Sequence, residues 1–202
     1  MLRKTAVGLL LLTLLGSIGV QAADKTLPQS RDKVLELEHA PPGGDFTLQS
    51  SKGPVSLQDF RGKLVLLYFG YTRCPDICPT SLSFVIQAMN GLTDAEMEKV
   101  KPIFISVDPT HDTPDSLAEY TEYFHPNMIG VTGSETEVAD VAALYGAKYY
   151  EVELKGSAFG YSVNHSAAIY LITPDGKLRF IFPHATPSSV MLEAIKYVLA
   201  GN

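Results

Sequence analysis

The sequence predicts an α/β fold: a mixed central sheet flanked by helices, with an α-β-α insertion and a C-terminal β-hairpin plus helix. Three observations carry this expectation. Leu64–Phe69 (LVLLYF) is a continuous apolar run of the kind buried on both faces of a sheet. Four later stretches repeat their apolar residues at helical spacing, with strand candidates between them. Near the C-terminus, Thr173-Pro174-Asp175-Gly176 makes a tight turn between two apolar runs.

In chain order, the N-terminus comes first. Arg3 and Lys4 precede an apolar stretch from Ala6 to Val20, and Val20-Gln21-Ala22 supplies small residues at a cleavage position. Residues 1–22 therefore read as a secretory signal, with an uncleaved membrane anchor as the alternative. No Cys lies near Ala22 to take a lipid. Residues 23–43, with Pro28, Pro41, Pro42, Gly43 and Gly44 following, read as a flexible lead-in, and 44–202 as one domain.

Within that domain Leu64–Phe69 is the first buried strand. Leu82, Val85, Ile86 and Met89 then mark one face of a helix, with Pro79 suited to its first position and Gly91 to its stop. This puts Cys78 at or beside the N-cap and Cys74 in the preceding loop. Strand Ile103–Val107 follows, then a helix opened by Thr113-Pro114, strand Ile129–Val131, and a helix with the capping box Ser134-x-x-Glu137, ended by Gly146. Ala167–Ile172 and Leu178–Phe182 flank the turn, and Thr186-Pro187 opens the last helix. The order is β-α-β-α-β-α-β-β-α, so parallel neighbours carry helices on both faces and the hairpin is antiparallel.

Composition removes some functions. The chain has 202 residues and a formal charge of −6, and losing Arg3 and Lys4 with the signal makes it more negative. There is no Lys/Arg-rich run or helix face, which excludes nucleic acid as an expected partner. An acidic surface suits cations or a basic protein patch.

Only two cysteines occur, Cys74 and Cys78. An exported chain meets an oxidising compartment, where a spare thiol is a liability, so a close pair points to chemistry. A thiolate beside a helix N-terminus is stabilised by the dipole and by unpaired N–H groups, with Arg73 helping and Asp76 opposing. Thiolates serve both redox exchange and soft-metal binding, and the Cys-x-x-x-Cys spacing leaves both open, with a structural disulfide behind them. A peroxidatic cysteine with Thr72 and Arg73 nearby is a further alternative. A histidine would complete a metal site. Of His39, His111, His125, His165 and His184, the best placed are His165, just ahead of the apolar strand Ala167–Ile172, and His111, just after Ile103–Val107. Two thiolates and one imidazole suit copper as Cu(I) and also hold Cu(II), whereas structural zinc asks for a fourth protein ligand. Tyr71, Phe159 and Tyr161 are either a docking surface around such a site or packing residues.

Several segments together resemble the SCO/SenC copper-chaperone family. They are Gly44-Asp45-Phe46, Leu57 to Lys63 (LQDFRGK), Tyr68 to Thr80 (YFGYTRCPDICPT), Ser106-Val107-Asp108-Pro109 with Asp112-Thr113-Pro114, and His165-Ser166-Ala167 leading to Tyr170–Gly176. The resemblance spans roughly residues 44–200. It implies a thioredoxin-like fold in which the histidine loop faces the cysteines, where dithiol thioredoxins hold a proline. It implies Cys74, Cys78 and His165 as ligands of one copper ion per chain, Cu(I) or Cu(II), with Cys74 and Cys78 also able to form a redox disulfide, and it leaves His111 as a bystander. Asp76, Arg73 and Asn164 are expected around the ligands; the family often has Asp at the last position. The implied partner is cytochrome c oxidase subunit II, whose dinuclear copper site such proteins help assemble, together with a periplasmic copper carrier or thiol reductant. A thiol–disulfide oxidoreductase acting on the oxidase cysteines is the alternative function.

Overall fold

The computed structural model describes residues 35–36, 41–156 and 160–201. The expected signal over 1–22 lies outside them, as does the lead-in apart from 35–36 and 41–43. The elements are β1 (Leu35–Glu36), β2 (Thr47–Ser50), β3 (Gly53–Ser56), a 3-10 turn (Leu57–Phe60), β4 (Leu64–Gly70), α1 (Ile77–Met89), α2 (Asp94–Met97), β5 (Val100–Ser106) and α3 (Pro114–Phe124). They continue with β6 (Ile129–Val131), α4 (Glu135–Leu144), β7 (Tyr149–Glu153), β8 (Tyr161–His165), β9 (Ile169–Ile172), β10 (Leu178–Phe182) and α5 (Ser188–Leu199).

The central sheet has the order β1-β10-β9-β4-β5-β6. Helical crossovers return the chain between β4, β5 and β6, which are parallel. The Thr173–Gly176 turn makes β9 and β10 antiparallel, and β9 in turn runs antiparallel to β4. The mixed sheet flanked by helices is thus the architecture expected. Every residue of β4 is buried, as its unbroken apolar run required. Its side chains alternate between layers. Tyr68 packs with Phe104 on one face, and Phe69 meets Tyr145 and Tyr170 on the other.

Helix boundaries follow the capping signals with two shifts. Thr113 and Ser134 cap α3 and α4 through their hydroxyls, and Pro114 takes the first helical position. In α1, however, Asp76 is the N-cap, so Cys78 is the second helical residue and Pro79 the third. Pro79 is accommodated because first-turn N–H groups have no intrahelical partner to lose. In α5, Pro187 is itself the N-cap, and the Thr186 hydroxyl donates to the Pro183 carbonyl at 2.7 Å. Gly91, after α1, marks close approach: a Cβ there would lie 2.4 Å from Leu192 of α5.

The small elements that were not expected are β1, within the stretch read as a lead-in, the β2–β3 hairpin with the 3-10 turn after it, the four-residue α2, and the antiparallel β7–β8 hairpin. The last matters most for function. His165 closes β8, paired with Tyr149 of β7, and β9 begins only at Ile169, so the strand expected over Ala167–Ile172 is shorter. The histidine is carried on the edge of a separate hairpin rather than at the lip of the central sheet.

Candidate metal centre

The site is built where β4 ends. Gly70 is the last residue of the strand, and the Cys74 N–H donates to the Tyr71 carbonyl at 3.2 Å, turning the chain back into α1. One helical turn later Cys78 projects over Gly70. A Cβ on Gly70 would lie 2.8 Å from Cys78 Sγ and 2.9 Å from Phe104 Cε2, so the missing side chain is the space the sulfur occupies. Gly70→Ala is expected to cost roughly 1–3 kcal/mol of folding stability through overpacking. Chemical denaturation of the metal-free protein checks this, and a cost near zero would mean the sulfur is not confined there.

His165 completes the group. Its Nε2 lies 3.2 Å from Cys78 Sγ and 3.9 Å from Cys74 Sγ, and the three ligand atoms all fall within 4.8 Å of one another. The ring Nδ1 lies 3.2 Å from the Ser166 carbonyl, to which Nδ1–H donates, leaving the Nε2 lone pair facing the sulfurs. Tyr68 and Tyr71 pack edge-on against the imidazole, at 6.0 and 5.9 Å between ring centres, and fix its plane. A sulfur and a nitrogen bound to one ion at about 2.3 and 2.0 Å sit roughly 3.5–3.7 Å apart. The two observed separations straddle that value, so one copper ion fits the gap. No other His, Cys, Asp or Glu joins the group among the described residues, and the set stays soft and three-pointed.

The thiols are deeper than an exposed rim would make them: Cys74 is 8% exposed and Cys78 0%. A shallow depression of about 360 Å³, lined by Ile77, Lys148, Tyr150, Asn164 and His165 among others, opens on the histidine side. The approach for another molecule is therefore past the imidazole.

The two sulfurs differ in proton affinity because they share a proton. The Cys78 thiol donates to Cys74, as do the backbone N–H groups of Cys78 and Asp76. Against the cost of burial, these hold Cys74 down to about 4. Burial foremost, then the Cys74 charge, pushes Cys78 far up. At neutral pH the pair is one thiolate, on Cys74, and one thiol, on Cys78. Alkylation of the metal-free protein is expected at Cys74 first, at a rate nearly flat from pH 8 to 5 and falling as pH drops through the Cys74 value. An ordinary thiol would instead slow about tenfold per unit below pH 8, and that profile at Cys74 would contradict the assignment.

The other expected residues take different places. The Asp76 carboxylate is exposed and accepts from the Thr80 hydroxyl at 3.3 Å; its contribution to the sulfur is the backbone N–H. Arg73 reaches Asp108 at 2.9 Å. Asn164 faces outward on β8 and donates to the hydroxyl of Tyr150, which is 63% exposed. His111 is held by Asp108 and Tyr161, His125 accepts from the Asn127 N–H, and His184 pairs with Ser81; His39 lies outside the described residues. Tyr71 is buried packing, Tyr161 is hydrogen-bonded to Asp108, and Phe159 is outside the described residues.

Sequence reasoning missed the part played by Asp108 and Asp112. Asp112, 1% exposed, accepts from the Thr72 N–H (3.0 Å), the Thr72 hydroxyl (2.5 Å) and the Ser106 hydroxyl (2.6 Å). It fastens the start of the cysteine loop to the end of β5. The signal was present as two carboxylates with Ser106 directly after an apolar strand, a polar cluster with no solvent to satisfy it.

A family model described as SCO1/SenC matches residues 35–200. The SCO2 homolog, mitochondrial, of Bos taurus is 37% identical over 182 residues, covering 89% of this chain and 68% of its own length. Arabidopsis thaliana ScoI, solved with copper bound, superposes with a TM-score of 0.70 at 35% identity, over 78% of this chain and 98% of that one. BsSco, described as a member of the Sco family of cytochrome c oxidase assembly proteins and as carrying a disulfide switch, superposes with a TM-score of 0.63 at 26% identity, over 81% and 96%. With its own thiols and imidazole gathered at the end of a thioredoxin-like sheet, the chain belongs to the SCO1/SenC family.

Proposed function

We propose that the protein binds one copper ion through Cys74, Cys78 and His165 and delivers it to cytochrome c oxidase subunit II. The observation that carries this is the convergence of two sulfurs and the Nε2 of one imidazole, all within 4.8 Å, on a point where no fourth protein ligand lies among the described residues. Three donors leave the ion open to an incoming thiolate, so transfer proceeds through shared ligation and never through a free ion. His165 is the half-buried donor at the open side, and its departure uncovers the ion first. The copper-bound Arabidopsis relative and the oxidase-assembly description of BsSco support the reading.

The basic, then apolar, then small-residue N-terminus supports export to the periplasm, with 1–22 removed or kept as an anchor and 44–202 as the working domain. The curated animal relatives are named as mitochondrial. A copper carrier or a thiol reductant on the same side of the membrane would supply the protein.

The unequal thiols support a second reading, thiol–disulfide exchange on the oxidase cysteines. The Cys74 thiolate attacks the substrate disulfide, forming a mixed disulfide and expelling one substrate cysteine as thiolate. Cys78, as its S–H proton leaves, then attacks the Cys74 sulfur and displaces the second substrate cysteine. The substrate disulfide is reduced by two electrons, Cys74 and Cys78 become a disulfide, and a dithiol reductant restores them. Mixing the copper-loaded protein with the metal-free, reduced copper domain of subunit II separates the two. Copper appearing on the acceptor, with the donor thiols still reduced, supports delivery. No copper movement in that mixture, together with oxidised donor thiols and a reduced acceptor when the metal-free protein meets the disulfide-bonded domain instead, would replace delivery by the second reading.

A further inference from the structure

We infer that Tyr161 and Asp108 form a latch that positions the β7–β8 hairpin, and with it His165, over the cysteines. This rests on the copper reading and adds positioning residues that are not ligands. The hairpin is a two-stranded sheet separate from the central one, so among the described residues no bond of the main sheet's ladder holds it in place. His165 is at one end of β8 and Tyr161 at the other.

The Tyr161 hydroxyl donates to Asp108 Oδ1 at 2.7 Å. Asp108, 3% exposed and two residues past the end of β5, also receives Arg73 from the cysteine loop at 2.9 Å on its other oxygen. The Arg73 guanidinium lies over the Tyr161 ring, 5.5 Å from its centre, which ties the two directly. His111 Nδ1 closes the cluster, 2.7 Å from the Tyr161 oxygen and 3.1 Å from Asp108 Oδ1. One buried carboxylate therefore joins the segment ahead of Cys74 to the strand that ends in His165. A charge-assisted set anchored on one buried carboxylate holds geometry more tightly than contacts between exposed groups.

The latch acts only on how firmly the imidazole is presented. Tyr161→Phe removes a single hydroxyl and leaves the ring under Arg73. The expected results are release of copper to a competing chelator about tenfold faster, the value of one charge-assisted hydrogen bond, and a shifted sulfur-to-copper(II) absorption. In the metal-free variant, amide hydrogens of Val163 and His165 should exchange faster than in the parent, while those of β4 are unchanged. Asp108→Asn, which keeps shape and loses charge, should repeat all three effects. Tyr123→Phe, on the exposed side of α3, is the control and should match the parent.

Exchange in β8, release rate and absorption within twofold of the parent in Tyr161→Phe would overturn the latch. So would a lower thermal midpoint with an unchanged copper spectrum, the mark of a merely structural bond. A parent that takes up no copper would contradict the function and not the latch, which the exchange measurement tests alone.

Discussion

Replacing His165 with Ala is expected to weaken copper binding by more than about 100-fold, since removing even an outer partner of a ligand costs 10–100-fold. Among the described residues its Nε2 is the only side-chain nitrogen in the ligand group, and it is already turned to the sulfurs by the Nδ1–Ser166 bond. Without it, two sulfurs remain, the geometry of a linear Cu(I) site that cannot stabilise Cu(II). Metal analysis after dialysis is the measurement. Cys74→Ala and Cys78→Ala should also fall well below one copper per chain, and His111→Ala should keep its copper, because His111 is joined to Asp108 and Tyr161 and lies outside the ligand group. Full copper occupancy in His165→Ala would remove the imidazole from the site.

The second large effect is on folding. Asp112→Ala strips three donors of their acceptor at once: the Thr72 N–H and the hydroxyls of Thr72 and Ser106. Ser106 is buried, and water cannot replace the lost bond there. Each unsatisfied buried group costs about 1–3 kcal/mol, so a loss of roughly 3–5 kcal/mol is expected, near the upper end for a single substitution. Urea unfolding of the metal-free protein checks it. Copper should restore part of the loss, because a ligand that binds only the folded state stabilises it by mass action. A destabilisation under about 1 kcal/mol would mean the loop is held by other contacts.

Much of the fold was legible because single residues signal it strongly. The run Leu64–Phe69 has no polar position and so no solvent face, and β4 is buried throughout. Thr113-Pro114 and Ser134-x-x-Glu137 satisfy first-turn N–H groups through their own side chains, and both helices begin there. The β7–β8 hairpin was not legible. Tyr149–Glu153 (YYEVE) alternates weakly, its residues are half-buried or exposed, and no two-residue glycine turn joins it to β8. Thr93-x-x-Glu96 does carry a capping box, and reading it would have found α2.

The site divides in the same way. The cysteine pair stood out from scarcity and spacing alone, but spacing left metal and redox chemistry equal, and histidine position left His111 beside His165. Only the family resemblance chose between them. The separation arises from tertiary structure: a hairpin unseen in the sequence carries His165 to the sulfurs, and Asp108 draws His111 away from them. Asn164 shows the limit of neighbour reasoning. It is adjacent to the histidine in sequence, yet on a strand adjacent side chains point to opposite faces, and it bonds to Tyr150 instead.

X-ray absorption on the fully reduced protein loaded with one equivalent of Cu(I) reads the ligand set without intermediaries. Two sulfurs and one imidazole nitrogen around each copper are the predicted result. A shell of two sulfurs with no nitrogen, or of oxygen and nitrogen with no sulfur, would contradict the three-donor site on which delivery depends.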